Sequence, residues 1–162
     1  KMSQKKTLFF ILLFIFILFL VDRITKYLIV TYSNPSGELI VPLTSFLKIN
    51  LIWNSGIAFG LLSFQDDLYY NILTTIIILI TIILSYLMIK SNDIEKAGFC
   101  LIIGGSLGNI FDRIYYSSVV DFIDFHVNNF HWFIFNVADI FITIGVIILI
   151  VLEIFKKNDK KY

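Results

Sequence analysis

The sequence predicts a membrane-embedded, mostly α-helical protein with four transmembrane helices, both termini on the cytoplasmic side, and a small β part. Three observations predict it. First, the 162-residue chain is 58% hydrophobic and 17% aromatic, with a mean hydropathy of +0.87. A soluble domain is about 45–50% apolar, so this chain has too little polar surface to cover itself in water. Second, it contains apolar runs long enough to cross a bilayer, which takes about 20 helical residues. Third, its lysines gather at the ends of those runs, leaving a net charge of +1 and no basic patch of the kind that binds nucleic acid.

The first span runs from Thr7 to about Val30. Its core, Leu8 to Val21, is uninterrupted. A secretory signal would end in small residues at a cleavage site, whereas Asp22-Arg23-Ile24-Thr25-Lys26 follows here, so a retained helix is expected. The second span covers about 68–90, the glycine-rich third 97–115, and the fourth 136–155. The flanking basic residues set the orientation. Lys5, Lys6, Lys90, Lys96, Lys156 and Lys157 mark the cytoplasmic side, so the connections 31–67 and 116–135 face outward. One integral-membrane domain over 1–162 is expected. Asn34-Pro35-Ser36-Gly37 signals a turn. The β-branched and aromatic stretch from Glu38 to Trp53 predicts short strands lying on the outer leaflet.

Charged side chains in a bilayer core are costly and usually serve a function inside the bundle. This chain places many at one depth, near the outward ends of its spans. They are Asp22, Arg23 and Lys26; Asn109, Asp112 and Arg113; Asp121 and Asp124; Asn136 and Asp139. Gly104 and Gly108 form a small-xxx-small pair that lets helices approach closely. Arg113 is expected to pair with the carboxylates or reach for the interface. Asp139 alone would suit a helix N-terminus. Asp121, in Val119-Val120-Asp121-Phe122-Ile123-Asp124, is surrounded by apolar groups. Two carboxylic acids converging in such a place share a proton, as a water-activating peptidase requires.

Other chemistries fit less well. His126 and His131 lie five apart without an H-E-x-x-H pattern, which argues against zinc. Cys100 sits in an apolar run and reads as a structural thiol. Ser106 has no lysine at its depth to activate it. Trp53, Trp132, Tyr69, Tyr70, Tyr115 and Tyr116 are expected in an interfacial aromatic belt.

Taken in order, these motifs resemble those of the lipoprotein signal peptidase (signal peptidase II) family, and the resemblance spans nearly the whole chain. Asp22-Arg23-Ile24-Thr25-Lys26 resembles D-x-x-T-K. Asn54-Ser55-Gly56-Ile57-Ala58-Phe59-Gly60 resembles N-x-G-x-A-F-G. Gly104-Gly105-Ser106-Leu107-Gly108-Asn109-Ile110-Phe111-Asp112-Arg113 resembles G-G-x-x-G-N-x-x-D-R. Val119 to Asp124 and Phe135-Asn136-Val137-Ala138-Asp139 resemble the two boxes that hold the acids. Two departures are local: Phe133 and Ile134 stand where the family often has a proline, and Ile140 follows Asp139 in place of a smaller residue such as Ser or Val.

The resemblance implies that Asp121 and Asp139 form a catalytic dyad cleaving the bond before a diacylglyceryl-cysteine. Asn54, Asn109, Arg113 and Asn136 would line the pocket, with Gly56 and Ala138 from the same boxes, and Asp22 and Lys26 would support it. It further implies no metal or organic cofactor, a β-cradle over 36–64 and a mobile flap over 116–135. Lipid-modified prolipoproteins, membrane lipids and globomycin-type inhibitors are the expected partners, no nucleic acid is, and the protein is expected to act as a monomer near the outer face of the bacterial cytoplasmic membrane. Two other classes compete: a small proton- or ion-coupled transporter using the acids as a relay, and an assembly factor whose acids only pair with Arg23 and Arg113. The missing internal repeat counts against the transporter.

Overall fold

The computed structural model describes residues 4–56, 67–127 and 130–159. In chain order these form α1 (Gln4–Thr31), β1 (Ile40–Pro42), β2 (Leu47–Asn54), α2 (Asp67–Lys90), α3 (Asp93–Tyr116), β3 (Val119–Val127), β4 (Phe130–Phe135) and α4 (Val137–Asp159). The four helices are long and apolar enough to cross a membrane. They match the expected spans, with α1 starting three residues earlier and α3 four.

The helices are not equivalent. The most apolar windows of α1, α2 and α4 have mean hydropathies of 2.6–2.7 and are at most 17% buried, whereas that of α3 has 1.2 and is 56% buried. Lipid solvates the outer three, while α3 is enclosed by protein and can carry polar side chains. Accordingly α3 packs on α4, α1 and α2. Asn92 starts it with a capping box, accepting from the Ile94 and Glu95 amides while Glu95 accepts from its own. Near that end Lys156 of α4 pairs with Glu95.

Glycines bring α3 close to two neighbours at once. A Cβ on Gly104 would lie 2.7 Å from the Leu18 Cβ of α1, and one on Gly105 would lie 2.5 Å from the Ala138 carbonyl of α4. A Cβ on Gly108 would collide with the Asp22 carboxylate. Gly108→Ala is therefore expected to displace that buried carboxylate and lower the thermal midpoint in detergent by several degrees or more, at a cost of roughly 1–3 kcal/mol. An unchanged midpoint would count against this close approach.

The sheet is larger than the sequence suggests. It has four antiparallel strands in the order β1-β2-β3-β4. The 116–135 segment, expected as a mobile flap, supplies β3 and β4, half of the sheet. The strands β2 and β3 share a core of Leu51, Val120 and Phe122, with Ile29, Val30 and Val137 packed against it, so apolar burial seats these two strands against α1 and α4. Within the expected cradle, residues 57–64 lie outside the described residues. Ser117, with φ of 55°, ends α3 in the left-handed region, and the chain enters β3 two residues later. That tight exit keeps Asp121 at the end of α3. Trp53 packs edge-on against Tyr116, with ring centroids 5.2 Å apart. Tyr70, expected in the aromatic belt, is instead buried, while Tyr69 and Tyr115 are exposed.

Candidate active site

Asp121 sits in the middle of the sheet on β3, and Asp139 in the first turn of α4. Asn136 precedes α4 and caps it. Its Oδ1 accepts from the Asp139 amide (3.1 Å), and its own amide donates to Asp139 Oδ2 (3.1 Å). This reciprocal pair is a capping box with aspartate in the third position. The preference of acids for a helix start thus explains where Asp139 sits, but one of its oxygens also faces elsewhere.

Three asparagine amides orient the two acids. Asp121 Oδ1 accepts from Asn136 Nδ2 (2.6 Å) and Oδ2 from Asn54 Nδ2 (2.8 Å). Asp139 Oδ1 accepts from Asn109 Nδ2 (2.9 Å). The amide orientations follow from their other partners. The Lys26 ammonium can only donate, and it lies 2.7 Å from Asn109 Oδ1, so Asn109 must turn its NH₂ to Asp139. In the same way the Gly56 amide, 2.8 Å from Asn54 Oδ1, turns the Asn54 NH₂ toward Asp121.

The carboxyl groups of Asp121 and Asp139 line one cavity of about 290 Å³ together with Asn54, Ser106, Asn109, Arg113 and Thr143. No hydrogen bond joins the two carboxyls, and among the described residues neither is in an ion pair. The other buried acids among the described residues, Asp22, Asp112 and Asp124, are paired. Asp22 and Asp112 are held by Arg23 and Lys26, with Lys26 Nζ 2.7 Å from Asp112 and 3.1 Å from Asp22. Asp124 is held by His131 (2.9 Å), Asn50 (2.9 Å) and Lys48 (3.7 Å).

These surroundings separate two acids of one strand. Burial, and then the charge of Asp139, pushes Asp121 up to about 7, against the partial relief of its asparagine donors. For Asp124 burial also pushes upward, but the hydrogen bonds from His131 and Asn50 and the nearby positive charges outweigh it and leave the carboxyl below its ordinary value.

The candidate site residues Asp22, Lys26, Asn54, Gly56, Asn109, Arg113, Asp121, Asn136, Ala138 and Asp139 all lie at this end of the bundle, with differences in role. Among the described residues Arg113 forms no ion pair with a carboxylate. It donates to the carbonyls of Gly56 (3.0 Å) and Asn109 (3.3 Å), and its buried Nε has no hydrogen-bond partner. Its charge stays directed at the cavity. Ala138 is fully buried, with its carbonyl against Gly105. Ile57 to Gly60 of the Asn54 box lie outside the described residues. Thr143 and the apolar wall from Ile77 and Ile142 went unrecognised, because a threonine or isoleucine inside an apolar span carries no distinguishing signal.

Fold and site together define an integral membrane protein with a buried, acid-bearing cavity at one end of a four-helix bundle. Comparison with known proteins makes this more specific. The model of the family described as signal peptidase (SPase) II matches residues 14–155. A protein named lipoprotein signal peptidase from Pelagibacter ubique (strain HTCC1062) is 46% identical over 155 residues, 96% of this chain and 93% of its own. Its namesake from Francisella tularensis subsp. novicida (strain U112) is 44% identical over 85% of this chain and 86% of its own. A bacterial membrane enzyme solved by the in meso method at 2.3 Å resolution is 30% identical, covering 93% of this chain and 90% of its own, with a TM-score of 0.74. The chain belongs to the signal peptidase II family, a family of membrane peptidases.

Proposed function

We propose that this protein is an aspartyl endopeptidase that removes the signal peptide from diacylglyceryl-modified prolipoproteins by cleaving the bond before the lipidated cysteine. The observation that carries this reading is the contrast among the buried acids. Among the described residues, Asp121 and Asp139 are the acids that face this cavity with no cation on them, while Asp22, Asp112 and Asp124 are ion-paired. A pair holding one proton supplies both halves of the chemistry. The ionised carboxylate takes a proton from water as its oxygen attacks the scissile carbonyl. The protonated partner supports the carbonyl oxygen, and the leaving nitrogen then receives a proton as the C–N bond breaks. Arg113 is placed to hold substrate backbone. No metal or organic cofactor is needed in this sequence of steps.

A second cavity of about 270 Å³ supports a lipidated substrate. Phe133, Phe135, Ile140 and Ile144 line it, and it shares Asp139 and Thr143 with the first. An acyl chain lying there would fix the modified cysteine beside the acids. The lysines support the orientation expected from sequence: Lys90, Lys96 and Lys156 lie at the opposite end of the bundle from the acids, as a site near the outer face of the cytoplasmic membrane requires. The assembly-factor reading needs Asp121 and Asp139 to be paired with arginine, and they are not. Nothing in the site favours a transporter.

The test is cleavage by the purified protein in detergent of one prolipoprotein with and without its diacylglyceryl group. Only the lipidated form should be cut, the product should begin at the cysteine, and globomycin should inhibit. Cleavage at another bond, or none, would contradict the proposal.

A further inference from the structure

The D-x-x-T-K motif leaves position 23 open, yet Arg23 is the second cation of the cluster beneath the site. Its Nη2 lies 2.8 Å from Asp22 Oδ2 and its Nη1 lies 2.5 Å from Asp112 Oδ1, while Phe111 packs against the guanidinium at 4.8 Å. Lys26 touches the same two acids, sharing Asp22 Oδ2 with Arg23 and taking Oδ2 of Asp112. Two cations and two anions thus form a closed, neutral, nearly dry unit joining α1 to α3.

Each of those acids also has an oxygen turned toward the site. Asp112 Oδ2 accepts from the amide of Val120 (3.2 Å), and Asp22 Oδ1 accepts from the amide of Ala138 (3.1 Å). Val120 immediately precedes Asp121, and Ala138 immediately precedes Asp139. We infer that Arg23 and Asp112, with Asp22 and Lys26, are positioning residues that set the separation of the two acids by anchoring the backbone amide just before each of them. The two acids come from a strand and a helix; Asn136 bonds the side chain of each, and the cluster adds a hold on the backbone that carries them. The charges make the anchors strong acceptors, because a hydrogen bond to a carboxylate is shorter and about twice as strong as a neutral one. Arg23 acts at a distance from the cavity, through the Asp112 and Asp22 carboxylates that it holds in place.

This inference rests on the proposed peptidase function, and amide exchange reads the anchoring separately from cleavage. The variant is Arg23→Met together with Asp112→Leu. It removes one charge of each sign, leaves Lys26 paired with Asp22, and substitutes apolar groups of similar size, a replacement that buried ion pairs often tolerate. A thermal midpoint in detergent confirms that it folds, and Arg23→Gln together with Asp112→Asn, which keeps the charge balance and the side-chain size, serves as the milder variant if it does not. Hydrogen exchange at the Val120 amide should quicken by about tenfold or more while that at Ala138 stays as in the wild type. With lipidated prolipoprotein, kcat should fall roughly 100-fold, the scale expected for a reacting group displaced by an ångström, with KM changed by less than about twofold.

The pH profile separates positioning from general loosening. The charges that reach the two acids are those of Asp22 and Lys26 from α1 and Arg113 from α3, and Arg113 in turn feels Asp112 of α3 and Tyr70 of α2. Acids moved apart interact less, so the two limbs of the bell-shaped kcat/KM profile should draw together. Wild-type exchange at Val120 with wild-type kcat and profile in the folded variant would overturn the inference. Faster exchange without any cleavage by the wild type would keep the anchoring and reject the peptidase reading.

Discussion

Asp121→Asn and Asp139→Asn are each expected to abolish cleavage of lipidated prolipoprotein, by roughly 10,000-fold or more, as removal of one member of a cooperating catalytic set does. The size follows from the shared proton. An asparagine can neither take the proton from water nor return one to the leaving nitrogen, so either variant loses both halves of the reaction. Both variants should still insert and fold, because each replaces an acid by a neutral group of the same shape. The fit is imperfect. Both oxygens of Asp121 accept amide N–H bonds, so an asparagine there turns its NH₂ toward another donor, at a cost of about 1–3 kcal/mol. Size-exclusion profiles should match the wild type, with thermal midpoints slightly lower. Retained cleavage in either variant would remove that residue from the dyad.

Lys26→Met is expected to act on stability more than on chemistry. Lys26 is 1% exposed and contacts Asp22, Asp112 and Asn109. Without it, Arg23 alone faces two buried carboxylates, leaving one negative charge uncompensated. Breaking a buried pair by removing one partner costs about 3–5 kcal/mol, a large part of the 5–15 kcal/mol that holds a typical protein together. The variant should accumulate poorly in the membrane and lose its compact form on extraction. A Lys26→Met protein as stable as the wild type would show that the cluster is not the keystone of this end of the bundle.

The two variants concern residues whose visibility in the sequence differed. The spans were legible because bilayer thickness imposes an uninterrupted apolar length, and the polar residues stood out against them. Which acid meets which cation was not legible. Arg113 looks like the natural partner of the acids, yet Arg23 and Lys26 lie nearer to Asp22 and Asp112 and occupy them, leaving Arg113 to backbone carbonyls. Pairing of this kind depends on helix rotation, which Gly104, Gly105 and Gly108 set through contacts that no local pattern reports.

The strands show the same limit. Val119 to Val127 has the composition of a strand, but its partner β2 lies some seventy residues earlier, and the sequence places no marker on the pairing. Register then decides the fate of two acids three residues apart. Side chains alternate along a strand, so Asp121 and Asp124 point to opposite faces. Asp124 lies across from Lys48 and Asp121 across from Ile52. One acid therefore receives a cation and the other does not, and only the second is left free for chemistry.

The most direct test is titration of the Asp121 carboxyl by carbon NMR in detergent, in the wild type and in Asp139→Asn. The wild-type resonance should titrate near 7, raised by burial and by the neighbouring acid, and Asp139→Asn should move it down while leaving it above the ordinary aspartate value of about 4. Because the acid is protonated more readily in the folded protein than in the unfolded chain, the stability contributed by its protonated form should fall as pH rises from 3.8 to about 7. An Asp121 resonance that titrates at the ordinary value, or that ignores the loss of Asp139, would show that the two acids do not share a proton.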